Sequence, residues 1–95
     1  MKFRMILPEG TIYTNETDSI IVPLMDGLAG IKKGHSPMLA ELADGIVTLR
    51  TSEEPSSLVQ YRVQNAMIEV LDNQITVLTD HVEVLPKDTN KTTII

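Results

Sequence analysis

His35 and His81 are the two histidines of the chain, and no cysteine accompanies them. Metal sites draw on clustered His, Cys and carboxylate ligands at short, regular spacing. Neither histidine has such a neighbourhood, so no metal ligand is assigned. The two ring nitrogens of His35 are expected instead to make an orienting hydrogen bond, within their loop or at a contact with another chain. Asp26, Glu41 and Asp44 are the carboxylates nearest to it in sequence. General acid–base chemistry needs burial and mutual approach to tune such groups, and their spacing provides neither. They are expected to be solvated surface groups. The run Gly27 to Gly34 lacks a following GK[ST] and opens no helix, so it does not read as a phosphate cradle. No catalytic, cofactor-binding or metal residue is therefore assigned, and Lys32 and Lys33 read as a solvated pair, with contact to acidic partner loops as the alternative.

The elements that hold these residues read as short strands. Lys2 to Leu7 sets Phe3, Met5 and Leu7 against Lys2, Arg4 and Ile6, then stops at Pro8-Glu9-Gly10, where proline and glycine favour a turn. Thr11 to Asn15, Ser19 to Leu24, Gly45 to Thr51 and Leu58 to Gln64 are further β-prone runs. Pro23 lacks an N–H and suggests an edge position or a strand end. In Leu58 to Gln64, Val59, Tyr61 and Val63 alternate with Gln60, Arg62 and Gln64, which places one set inward and one toward water. Ala66 to Leu71 and Gln74 to Thr79 flank Asp72-Asn73, two residues that tolerate positive φ and suit a tight hairpin. A last strand is expected around His81 to Leu85.

Between Asp26 and Leu39 the sequence DGLAGIKKGHSPML reads as a shaped loop. Its three glycines call for unusual backbone geometry, and Pro37 pushes Ser36 toward extended geometry. Met38 to Leu42 is compatible with a helical turn or a strand. Leu24, Met25, Leu28 and Ile31 either tuck into the core or form an exposed patch, while Ile31, Met38 and Leu39 are expected to pack partly into it. Ser52 to Ser57 reads as an exposed connector. The expected fold class is all-β, a small antiparallel β-sandwich of short strands, with residues 1–86 as one domain and 87–95 as a polar C-terminal tail.

Bulk properties exclude several functions. A chain of 95 residues with 42% hydrophobic content fits one core. Thirteen acidic against eight basic residues give a net charge of -5, which opposes binding to nucleic acid and to anionic lipid. The aromatic residues Phe3, Tyr13 and Tyr61 form no stacking series with Lys or Arg. No stretch approaches the ~20 apolar residues of a membrane-spanning helix, and the N-terminus is no signal peptide, so no direct membrane insertion is expected.

Ordered motifs give the chain a family likeness. Asp26-Gly27, Gly30-Ile31 and Gly34-His35-Ser36-Pro37, followed by Met38-Leu39, resemble the N-terminal domain of the epsilon subunit of F-type ATP synthases. Pro8-Glu9-Gly10, the run Asp18 to Pro23 and the run Glu69 to Asp80 extend the resemblance over roughly residues 1 to 85. Two positions depart from the family pattern: Lys33 stands where proline is common, and Asn65-Ala66 stand where Gly-Gly is usual.

The resemblance implies a flattened β-sandwich that converts no substrate and docks on the gamma subunit and on the rotor ring of c subunits, with the alpha/beta catalytic assembly reached indirectly. It places the contact on Asp26, Gly27, Leu28, Gly30, Ile31, Gly34, His35, Pro37 and Met38, with Leu28 toward the ring. It implies a peripheral position at the cytoplasmic face of the cell membrane or an equivalent organelle membrane. The family's helical hairpin is not expected after Ile95, nor the inhibition and nucleotide binding associated with it. The alternative is an adaptor in an F-type-like motor without an ion-conducting ring.

Overall fold

A computed structural model describes residues 1–51 and 57–86. The chain folds as eight strands: β1 (Lys2–Ile6), β2 (Ile12–Glu16), β3 (Ser19–Leu24), β4 (Gly27–Lys32), β5 (Met38–Leu42), β6 (Gly45–Thr51), β7 (Ser57–Leu71) and β8 (Gln74–Val84). The all-β expectation holds, and the described residues contain no helix. The expected tail at 87–95 and most of the 52–57 connector lie outside the described residues.

Strand β7 is the spine. Along one side it pairs with β8; along the other its first half pairs with β6 and its second half with β5. Strand β3 joins β6 through Ser19 to Ile21 and β5 at Leu24, and β4 closes that edge. At the other end β1 adds to β8 and β2 to β1. The sheet is antiparallel as expected apart from the β1–β8 ladder, which is parallel. A pairing between the first and last strands is set by the closure of the fold, and no local pattern announces it.

Strands β7 and β8 are longer than expected, and β8 joins the expected Gln74–Thr79 run to the strand expected around His81. Leu58–Gln64 and Ala66–Leu71 are parts of one strand, Ser57–Leu71, of 15 residues, with a kink at Asn65, which stands at φ 53°. Tyr61 and Val63 are buried before the kink; Ala66, Ile68 and Val70 are buried after it. The neighbours change phase at the same level. Strand β8 buries Ile75, Val77 and Thr79, then half-buries Val82, while β5 buries Leu42 and β6 buries Val47 and Leu49. Asp44 Oδ1 accepts from Asn65 N–H at 3.0 Å, and Asn65 Nδ2 donates to Asp80 Oδ2 at 3.1 Å. A crease thus crosses β7 and β8 at the level where β5 gives way to β6, held by a side chain that satisfies a backbone group the ladder leaves out and by a side-chain bond across β7 and β8.

The crease brings the two layers face to face. Tyr61, before the kink, stacks on Phe3 of β1 with centroids 5.9 Å apart and meets Tyr13 of β2 at 5.8 Å. Every aromatic side chain of the protein is in this one cluster. Around it Val, Ile, Leu and Met fill the interior, each large side chain contributing about 1.5–3 kcal/mol when fully buried.

Thr79 secures the crease from inside. Its buried hydroxyl lies 2.8 Å from Gln64 O and 2.9 Å from His81 O, so one proton serves two carbonyls. Thr79→Val keeps the shape and removes the donor. It is expected to cost about 1–3 kcal/mol, read as a lower thermal midpoint, with Thr79→Ser close to the parent.

Pro23 is buried and is the last residue but one of β3, near the strand end but on a strand with partners on both sides. A strand residue presents its N–H and C=O to the same side. The Pro23 carbonyl accepts from Ala43 N at 2.8 Å, so the missing N–H faces the break between β5 and β6, where no ladder partner is required.

Candidate functional site: two exposed apolar surfaces

Most of the segment read as a glycine loop is strand. Residues 27–32 form β4, hairpinned to β3 through Met25-Asp26, and residues 38–42 form β5, which settles the open choice for Met38 to Leu42. Glycine content hid β4, because Gly27 and Gly30 leave only Leu28, Ala29 and Ile31 to show a pattern. Gly27 at φ 138° and Gly34 at φ 84° do require glycine. Gly30 does not: its φ is ordinary, and an added Cβ would meet no atom within 4 Å.

The true loop, residues 33–37, is pinned to the β7–β8 hairpin. Asn73 Oδ1 accepts from Gly34 N–H at 2.7 Å, and Asn73 O accepts from Lys2 N–H at 3.2 Å. Asp72 and Asn73 both have positive φ, as a tight two-residue hairpin demands. His35 N–H donates to Lys32 O at 3.1 Å, and its Nδ1 lies 2.7 Å from Ser36 O. A carbonyl only accepts, so Nδ1 carries the proton in that contact. His35 thus orients the loop backbone, as its sequence suggested.

The groups whose types could do chemistry do not converge. His81 pairs with Gln64 at the crease, whereas His35 lies by the hairpin at the far end of β7, roughly 25 Å along the strand. Asp44 is engaged with the Asn65 backbone, Asp26 lies in the β3–β4 turn, and Glu41 faces outward from β5. Among the described residues no three His, Cys, Asp or Glu side chains are grouped to hold a metal ion.

What the fold does present is apolar surface. At the β3–β4 turn, Met25 is 72% exposed and Leu28 76%. Ile31 of the same strand is 1% exposed and belongs to the core, so of the expected contact residues it offers no side chain to a partner. Met38 is half-buried, as expected, but Leu39 is 70% exposed, because the pleat of β5 turns it away from the core. Asp26, Gly27, Gly30, Gly34 and Pro37 are exposed, and His35 is half-buried.

A second surface was missed from the sequence. On the outer face of the β1–β8–β7–β5 layer the register sets Ile6, Leu78, Met67 and Glu41 in one row across four strands. Leu78 and Met67 are about half exposed, and with Ile6, Leu7 and Pro8 they line a groove of about 370 Å³. The signal was present: Met67 and Leu78 occupy the outward phase of strands whose inward phase was already apolar.

Known proteins resemble this chain in sequence and in shape. Residues 1–84 match the family model described as ATP synthase, Delta/Epsilon chain, beta-sandwich domain. The ATP synthase epsilon chain of Leptospira interrogans is 40% identical over 81 residues, which are 85% of this chain and 61% of that relative. The corresponding chain of Chlorobium limicola is 33% identical over 81 residues, covering 90% of its length. The present chain thus spans about three-fifths of the Leptospira relative it matches. In shape it resembles a chain of the Euglena gracilis mitochondrial ATP synthase OSCP/F1/c-ring structure, with TM-score 0.74 at 18% identity over 86% of this chain and 51% of that one. A chain of the Tetrahymena thermophila central stalk/c-ring structure gives TM-score 0.71 at 13% identity, over 99% of this chain and 76% of that one. With a family model matching nearly the whole described sandwich, this chain belongs to the ATP synthase delta/epsilon family, as its β-sandwich domain.

Proposed function

We propose that this chain is a noncatalytic central-stalk subunit of an F-type ATP synthase, docking on gamma and on the rotor ring so that ion translocation is coupled to ATP synthesis and hydrolysis. The observation that carries the reading is a pair of separate exposed apolar surfaces on one cross-braced frame. The groove at Leu78 and Met67 takes gamma, and the β3–β4 turn at Met25 and Leu28 takes the polar loops of the ring. A coupling part must transmit torque without yielding, and a sandwich with both layers tied through β7 and β8 resists shear. Family membership supports the same role. Among the described residues no helix is long and apolar enough to cross a membrane, so the ring would hold the subunit at the membrane surface.

Photo-crosslinkers placed singly at Leu28 and Leu78 in the assembled complex test this arrangement. Ring adducts from Leu28 and gamma adducts from Leu78 are expected. Gamma adducts without ring adducts would favour a motor lacking an ion-conducting ring, and neither adduct would refute the docking scheme.

Gly30 supplies an independent check. Since its own fold leaves space for a methyl group, Gly30→Ala is expected to hold the thermal midpoint level or raise it slightly, by up to about 1 kcal/mol from reduced unfolded-state freedom. Assembly with the ring should nevertheless weaken, as a partner backbone seated against the glycine would be displaced. Unchanged assembly would remove Gly30 from the contact.

A further inference from the structure

The groove on the β1–β8–β7–β5 face is apolar along its floor and acidic at its crease end. Ile6, Pro8, Met67 and Leu78 line it, and Asp80 closes it. Glu41 stands directly beside Met67 in the β5–β7 register. Asp80 is met by the neutral amide of Asn65. Among the described residues the ion pairs join the Met1 amino group to Glu16 and Arg62 to Glu83, and no described cation pairs with Glu41 or Asp80. Arg4, the nearest cation on β1 in the outward phase, pairs with Thr76 one row away, three strands from β5 and about 15 Å across the sheet from Glu41.

Covering two carboxylates with a neutral partner would strip their water and return nothing. A lysine or arginine beside an apolar anchor offsets that cost, and its methylene stem adds cover to the groove floor. We propose that the segment of gamma seated here presents an apolar side chain to Leu78 and Met67 and a basic side chain to Glu41 and Asp80. The inference rests on gamma docking to this face and names the chemistry by which it is recognised.

The double variant Glu41→Gln, Asp80→Asn removes both charges with almost no change of shape, and the new amide keeps an oxygen to accept from Asn65. Binding of parent and variant to immobilised gamma, followed from about 0.05 M to about 0.5 M salt, separates the possibilities. The association rate constant is expected to fall about tenfold in the variant at low salt, and the two proteins should converge at high salt. A parent that binds gamma at a rate equal to or below that of the variant at every salt concentration would overturn the basic-partner inference while leaving gamma docking in place. A folded parent that does not bind gamma at all would overturn the docking, and this inference with it.

Discussion

Leu78→Asp is expected to fold as the parent does and to bind gamma about 100-fold more weakly or worse, equivalent to about 3 kcal/mol. Leu78 is half exposed on a strand whose opposite face builds the core, so the substitution leaves the interior untouched. Its cost to the isolated domain should stay near 1 kcal/mol, the penalty of aspartate in a strand. That is a fall of roughly 4–8 °C in thermal midpoint for a domain of this size. Under a partner the same carboxylate loses its water in an apolar groove and sits next to Asp80, which raises the cost severalfold. Calorimetry of the free protein and titration against gamma read the two effects separately. Leu78→Ala should weaken binding by only about tenfold, since a half-buried leucine already keeps part of its contacts. If both substitutions left gamma affinity unchanged, the groove would not be the docking face.

The second large effect falls on stability. Asn65 stands at φ 53° in the middle of the longest strand, a conformation that a β-branched side chain adopts only under strain. Asn65→Val adds about 1–2 kcal/mol of backbone strain and removes the hydrogen bond to Asp80, worth about 0.5–1.5 kcal/mol. The thermal midpoint should fall by roughly 10–20 °C. Asn65→Gly relieves the φ requirement while losing only the side-chain bond, so it should remain within about 1 kcal/mol of the parent. Equal stabilities for the valine and glycine variants would mean that the kink does not depend on the left-handed residue.

The same position shows how far the sequence could be read. Asn65-Ala66 depart from the Gly-Gly that the resemblance suggests, and the structure shows what position 65 needs: a positive φ, which glycine gives freely and asparagine tolerates. Asparagine then ties the kink to Asp80, which glycine cannot do. What could not be foreseen is that one residue in this conformation shifts the buried phase of β7 while keeping the strand continuous. Runs before and after it therefore looked like two strands.

Other elements were legible because the physics is local. Ser19–Leu24 and Gly45–Thr51 emerged with the expected bounds, since β-branched residues and turn punctuation define them. Asp72-Asn73 emerged as a hairpin because its residues permit the required φ. Strand β4 was hidden for the opposite reason: two of its six positions are glycine, and its hydrogen-bond partner β3 supplies what its own composition lacks. The groove was hidden because Ile6, Met67 and Leu78 come from three strands brought together by the parallel β1–β8 pairing and the β7–β8 hairpin. Sequence motifs pointed to the β3–β4 turn, which is contiguous, and passed over a surface that exists only after folding.

Affinity purification of the tagged protein from its native cells in mild detergent, with mass spectrometry of every copurifying chain, decides whether it works as a rotor subunit. Alpha, beta, gamma and ring subunits are expected together with the parent, and the Leu78→Asp protein should recover markedly less gamma. Recovery of neither a gamma-type chain nor any ATPase subunit with the parent protein would contradict that role.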